Sequence, residues 1–218
     1  MIKAFGPKAN AVLDEIIAAR RSIRAFAPEA PPRRVIEELI AAGLRAPYAA
    51  LAVGDRKDFR RVFVFTRGTP ALAEAGRLIQ KAARGRLEWA QKSRGRAPVP
   101  SDPDYELMQR IKALADDIHP ALKTAPYFIV LAEYQGLPPA GLQSLAHTLE
   151  NMWLKATALG LAFQVLSVTE SMADVPEFVS LLGLPQGEYV LDGCAVGYPA
   201  ADPPPARRPD MTSATKWL

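Results

Sequence analysis

Residues 126–132 read PYFIVLA, a run in which nothing polar interrupts the apolar side chains after the leading proline. A strand packed on one side alternates apolar with polar residues, so a run apolar throughout belongs to a strand covered on both faces. VFVFT at 62–66 has the same character, and FQVLSV at 163–168 and YVLDGCAVGYP at 189–199 supply two further strands. Helical segments lie between these strands, and no period of repetition or second core is present. The expected fold is α+β, a central mixed sheet of about four or five strands flanked by helices on both faces.

The helices are legible from their periodicity. One is expected over 11–21, capped by Asn10, with Asp14 and Glu15 early and Val12, Leu13, Ile16 and Ile17 forming a stripe. Pro31 and Pro32 open a second, whose stripe is Val35, Ile36, Leu39, Ile40 and Leu44, and Pro47 closes it. Segments 71–92 and 104–118 are helical by composition and are joined by SRGRAPVPSDPD, a proline- and arginine-rich stretch expected to be a mobile surface loop. The segment 139–159 is apolar on more than one side, which predicts the centre of the core or of a subunit interface. A short helix is expected over 176–182. The tail after Pro199, with prolines at 203–205, is expected to form no helix and to run extended over a surface.

Composition excludes several classes. A chain of 218 residues, 49% hydrophobic, is long enough to bury a substantial core, and one domain over 1–218 is expected. Its longest apolar runs fall far short of the roughly 20 residues of a membrane span. Residues 1–10 lack the pattern of an export signal, so a cytoplasmic location is expected. Cys194 is the one cysteine, and with two histidines a Cys/His metal cage is excluded. Lysines and arginines exceed acids by 27 to 23, and no nucleic-acid-binding signature accompanies that excess. A small anionic ligand suits the balance better than nucleic acid or membrane.

RRSIRAF at 20–26 places Arg20, Arg21 and Arg24 around Ser22, where the first helix ends. Cations there complement the helix dipole, which alone accounts for the run. The alternative is a bound phosphate: at a helix C-terminus the backbone repels it, so guanidinium forks must supply the charge. Arg207 and Arg208 form a second basic pair in the tail, read either as solvated or as part of the same site.

Taken in order, RRSIRAF, LRAP after the second helix, ENMWLKATALGLAFQVLSVTESM, LLGLP and DGCAVGYP followed by an Arg-Pro tail resemble the nitroreductase family of flavin enzymes. The resemblance implies an interlocked homodimer with two FMN molecules at its interface. It also implies NAD(P)H as reductant, a nitroaromatic, quinone or similar small acceptor, and ping-pong turnover. Arg20 and Arg21 match the pair serving the FMN phosphate and ribityl end, and Ser22 the serine at the pyrimidine side. Arg24 matches the cation near N1 and the C2 carbonyl, which tunes the reduced ring. Ser167 and Val168 match the turn whose amides approach N5 and O4, and Arg207 and Arg208 the basic residues closing over the phosphate. No side chain acts as a catalytic nucleophile, and no metal is implied. The variable helical segment, about 70–120, is expected over the active site, with Trp89, Arg94, Arg96 and Tyr105 placed to shape selectivity, and 199–218 is expected as the extended tail.

The chain departs from the family where APYAALAVGDRKDF stands in place of Ala-Pro-Ser and Asn-x-Gln-Pro-Trp. Pro47 is kept, Tyr48 replaces the serine, and Asp55 and Lys57 replace the asparagine and glutamine. Asp55 can accept from the flavin N3 proton but cannot donate as an amide does. This motivates a rival reading, a flavin-binding sensor or carrier without efficient turnover; a third is a basic interaction protein that kept the fold and lost the cofactor. His119 reads as a cap or surface residue, His147 as a core or interface histidine, and Cys194 as a small buried strand residue.

Overall fold

The PYFIVLA run forms the core of the sheet. A computed structural model of the chain describes residues 4–95, 99–203, 205 and 208–217, and of residue 94 the backbone alone. Strand β2 (Tyr127–Tyr134) has its six inner residues buried, and it is paired on both sides, by β1 (Arg60–Thr66) and β4 (Tyr189–Gly197). β3 (Ala162–Val165) lies beyond β4, giving the order β1-β2-β4-β3. Every pairing is antiparallel, where a mixed sheet was expected. β2 and β3 run in the same direction, as do β1 and β4, but each of these pairs is separated by an intervening antiparallel strand. β1 also differs from expectation: it is not covered on both faces, with Val64 exposed, and among the described residues it is an edge strand paired only with β2.

Alternation along β2 feeds two cores. Phe128, Val130 and Ala132 enter one with Leu78, Ile79 and Phe178; Ile129 and Leu131 enter the other with Leu39, Leu145 and Met152. Fully burying each large side chain contributes about 1.5–3 kcal/mol, so these two faces supply most of the driving force. On the second face α2 (Arg33–Gly43) crosses α7 (Gly141–Ala158), the central apolar helix. On the first lie α4 (Pro70–Arg94), α8 (Pro176–Leu181) and a 3-10 helix (Ser167–Asp174). α5 (Tyr105–Asp116) packs along α4, α6 (Pro120–Thr124) leads into β2, and α3 (Ala50–Val53) precedes β1.

α1 (Pro7–Ala19) starts earlier than expected because Pro7 occupies its first turn, where a missing N–H costs nothing. Asn10 is thereby inside the helix, its Nδ2 donating to Phe5 O. No residue of α1 is buried, and Val12, Leu13 and Ile17 present an open apolar stripe. His147 is likewise exposed on α7. The tail forms a short helix, α9 (Met211–Ala214), against the expectation of none. The segment past Pro209 is free of proline, and the Asp210 carboxylate accepts from Ser213 N at 3.1 Å, capping the turn.

Candidate active site

A cavity of about 1130 Å³ opens between the α4–α5 pair and the end of β3. β3 ends at Val165, and Leu166 N then donates to Gly193 O at 2.8 Å, turning the chain into the 3-10 helix that carries Ser167 and Val168 to the cavity wall. These are the first two residues of that helix, so their N–H groups have no intrahelical acceptor, and among the described residues neither donates to any other backbone group. Arg24 lines the same cavity. It is carried there by backbone bonds along RRSIRAF: Ile23 N donates to Phe163 O at 3.1 Å, Ala27 N to Tyr198 O at 2.8 Å, and Phe26 bridges Pro199. Three of the residues expected in the site, Arg24, Ser167 and Val168, thus meet in one chain.

Arg21 and Arg208 converge elsewhere, on the C-terminus of α1. Arg21 Nη1 donates to Ala18 O at 2.6 Å, and Arg208 Nη2 to Ile17 O at 2.8 Å and Ala18 O at 3.2 Å. Arg20 turns to α7: its guanidinium lies 4.2 Å from the Trp153 ring centroid, and its Nε 3.5 Å from Glu150 Oε1. Trp153 Nε1 in turn donates to Arg21 O at 2.9 Å and fixes that segment. Ser22 is half-buried between these groups. Arg207 lies outside the described residues.

Pro47, Tyr48, Asp55 and Lys57 are not brought to the cavity by this chain. They precede β1, at the sheet edge opposite β3, and two strands stand between, a separation of roughly 14 Å at the usual strand spacing. All four are exposed. Tyr48 packs on Phe59 with ring centroids 4.2 Å apart. The loop is held by a pair that sequence reading missed, Arg60 and Glu133. Arg60 Nε lies 2.6 Å from Glu133 Oε2 and its Nη2 3.2 Å from Oε1, while Nη1 and Nη2 donate to the carbonyls of Ala46 and Pro47.

His119 caps α6, its Nδ1 accepting from Ala121 N at 3.1 Å, and it also lines the cavity. That hydrogen bond places the ring proton on Nε2, and burial lowers the pKa further from 6.5, so His119 is a neutral donor. Burial raises Asp192 from 3.8 to about 6, opposed by the Gly193 N–H it accepts and assisted by Glu170. Cys194 is buried in β4 and its thiol pushed well up by burial.

α4 and α5 line the cavity through residues other than those expected. Trp89 is exposed on α4 outside the lining, Tyr105 starts α5 outside it, and Arg96 and the Arg94 side chain lie outside the described residues. Arg86 of α4 and Leu107, Arg110, Ile111 and Leu114 of α5 line it instead. The signal for the α5 face was the spacing of Leu107, Ile111 and Leu114, a helical stripe. Among the described residues no group of acids, histidines and cysteines is arranged to hold a metal ion, and no helix is long and apolar enough to cross a membrane.

Comparison with known proteins agrees with this fold. A nitroreductase of Bacteroides fragilis with bound FMN superposes with a TM-score of 0.68 at 22% identity, over 94% of this chain and 98% of that one. A BluB-like flavoprotein of Clostridium difficile gives 0.71 at 20% identity, over 94% and 98%. An iodotyrosine deiodinase bound to FMN and 3-iodo-L-tyrosine gives 0.65 at 19%, over 91% and 96%. No curated protein matches the sequence. The model of the Nitroreductase family matches residues 17–198, from the end of α1 through the last strand, and the chain belongs to that family.

Proposed function

We propose that this protein is an FMN-dependent oxidoreductase that takes reducing equivalents from NAD(P)H and passes them to a nitroaromatic, quinone or similar small acceptor, in ping-pong fashion and as a cytoplasmic homodimer. The observation that carries this reading is the meeting of Arg24 with the free amides of Ser167 and Val168 on one cavity. That donor set fits the electron-rich edge of an isoalloxazine, a fixed cation beside two N–H groups with no acceptor of their own. Bound FMN supplies the hydride chemistry, so the chain needs no nucleophile.

Each residue then has a part. Arg24 sets a permanent positive charge at the N1 and C2 carbonyl edge and favours the reduced, anionic ring. The Ser167 and Val168 amides serve N5 and O4. Arg20, Arg21, Arg207 and Arg208, with Ser22 near the ring, serve the phosphate and ribityl end, where Arg21 and Arg208 already point guanidinium groups at the end of α1. Pro47, Tyr48, Asp55 and Lys57, remote from Arg24 within one chain, complete the site from the partner. The open apolar stripe of α1 and the exposed part of α7 are the surfaces such a dimer would cover.

The exposed Asp55 and Lys57 favour a second reading, a flavin carrier of the same fold without efficient turnover. Two observations on purified protein separate the readings. Uptake of FMN supports both, and bleaching of its absorbance by NADH or NADPH at a useful rate supports only the enzyme. Uptake without bleaching by either nicotinamide leaves the carrier.

A further inference from the structure

α5 turns Leu107, Arg110, Ile111 and Leu114 to the cavity, positions i, i+3, i+4 and i+7 of one helical face. Three are aliphatic, and Arg110 is the single charge among them. Elsewhere the chain pairs several arginines with carboxylates: Arg33 with Glu37, Arg56 with Asp58, Arg60 with Glu133 and Arg77 with Glu74. Among the described residues Arg110 has no such partner. The acids of the lining, Glu170 and Asp174, sit on the 3-10 helix and are ion-paired with neither Arg110 nor Arg24. Arg86 of α4 reaches the same space, its Nη2 3.5 Å from Ser171 O, so a second positive charge stands against that helix. At about 1130 Å³ the cavity exceeds the range of about 300–1,000 Å³ usual for one small ligand, which leaves room for a second molecule beside a flat cofactor.

We infer that this cavity binds a planar aromatic acceptor bearing a carboxylate, its ring against Leu107, Ile111 and Leu114 and its anionic group on Arg110, with Arg86 adding to the field. The apolar stripe accepts any flat ring; the unpaired Arg110 guanidinium on that stripe distinguishes an anionic acceptor from a neutral one, since charge-assisted hydrogen bonds outweigh neutral ones. This deepens the proposed function and rests on it in taking FMN as the flat cofactor and the bound molecule as the acceptor. Arg110 is thus a specificity residue.

The test is calorimetric titration of the full-length, FMN-loaded, oxidised protein with 4-nitrobenzoate and with 4-nitrobenzamide, without any reductant. The two share ring, nitro group and near-equal size, and differ in charge. The carboxylate is expected to bind about tenfold more tightly. Arg110→Gln, at an exposed helical position where glutamine is well tolerated, brings the two within about twofold of each other and leaves the benzamide unchanged; Arg110→Lys keeps part of the preference. Equal binding of the pair by the unaltered protein, a preference that survives Arg110→Gln, or no binding of either compound overturns the inference. So does an Arg110→Gln protein that loses NADPH affinity by the same factor as 4-nitrobenzoate, which would assign the charge to the dinucleotide's phosphates. Because no electron transfer is involved, a failure of either nicotinamide to bleach the flavin overturns the enzyme reading without touching this result, and equal affinities leave that reading standing.

Discussion

Arg208 Nη2 donates to the carbonyls of Ile17 and Ala18 at 2.8 and 3.2 Å, joining the tail to the end of a helix about 190 residues earlier in the chain. Arg21 Nη1 reaches the same Ala18 oxygen at 2.6 Å. Two guanidinium groups thus stand at the negative end of α1, where they complement its dipole, and among the described residues neither has an acidic partner.

The first prediction separates this pair from Arg24. Arg208→Ala removes a contact assigned to the FMN phosphate and is expected to weaken FMN binding about tenfold or more while leaving the reduction potential nearly unchanged. Arg24→Ala is expected to do the reverse, lowering the potential more than it weakens binding, because its charge favours the reduced ring. Fluorescence titration of FMN and dye-equilibrated potentials read the two effects. Equal losses of affinity with both potentials unmoved would contradict the assignment.

A second prediction concerns Arg60 and Glu133, whose side chains are 3% and 1% exposed and meet in a bidentate pair. Removing one partner leaves a buried charge uncompensated, at a cost of about 3–5 kcal/mol. Glu133→Ala and Arg60→Ala should each lower unfolding free energy by that order in urea titrations, and Arg60→Ala should also loosen the Ala46–Pro47 segment, whose carbonyls it holds. The double replacement by methionine and leucine should recover much of the loss. A single variant as stable as the unaltered protein would show the pair to be solvated.

Asp192 yields a pH prediction. Burial raises it from 3.8 to about 6, so the folded chain holds this proton more tightly than the unfolded chain. Between roughly pH 4 and 6 stability therefore falls as pH rises, and above 6 the penalty for the ionised group is fully present, at most about 3 kcal/mol. Asp192→Asn, which keeps an oxygen for the Gly193 N–H, should be stabilising at pH 8 and nearly neutral near pH 4. Parallel stability curves for the two proteins from pH 4 to 8 would refute the burial argument.

Gly193 links packing to the site. A Cβ there would stand 2.9 Å from Ile129 O and 2.9 Å from Thr169 Oγ1, and the Gly193 carbonyl anchors the turn through Leu166 N. Gly193→Ala must push the 3-10 helix or β2 aside, so it is expected to destabilise by about 1–3 kcal/mol and to weaken FMN binding together. Lost stability with unchanged FMN affinity would separate the turn from the cofactor.

Much of this was legible in the chain, for stated physical reasons. PYFIVLA marked β2 because a strand paired on both sides and covered on both faces has no polar position to spare. RRSIRAF and LSV pointed to Arg24, Ser167 and Val168 through their resemblance to family motifs, and the structure brings these three residues to one cavity. The Arg60–Glu133 pair left no local signal, since its members are 73 residues apart. The 3-10 helix was missed because SVTESMAD is too short for a period to register, and VFVFT alone cannot distinguish an edge strand from a central one. Arg110 went unnoticed because its stripe was read by composition, in which one arginine among aliphatics looks like an ordinary solvated face.

The central claim is tested most directly by the visible absorbance of the FMN-titrated protein before and after anaerobic addition of NADH or NADPH. The proposed function predicts stoichiometric uptake of FMN and prompt bleaching of its band by at least one of the two nicotinamides. A colourless monomer that ignores added FMN would contradict it.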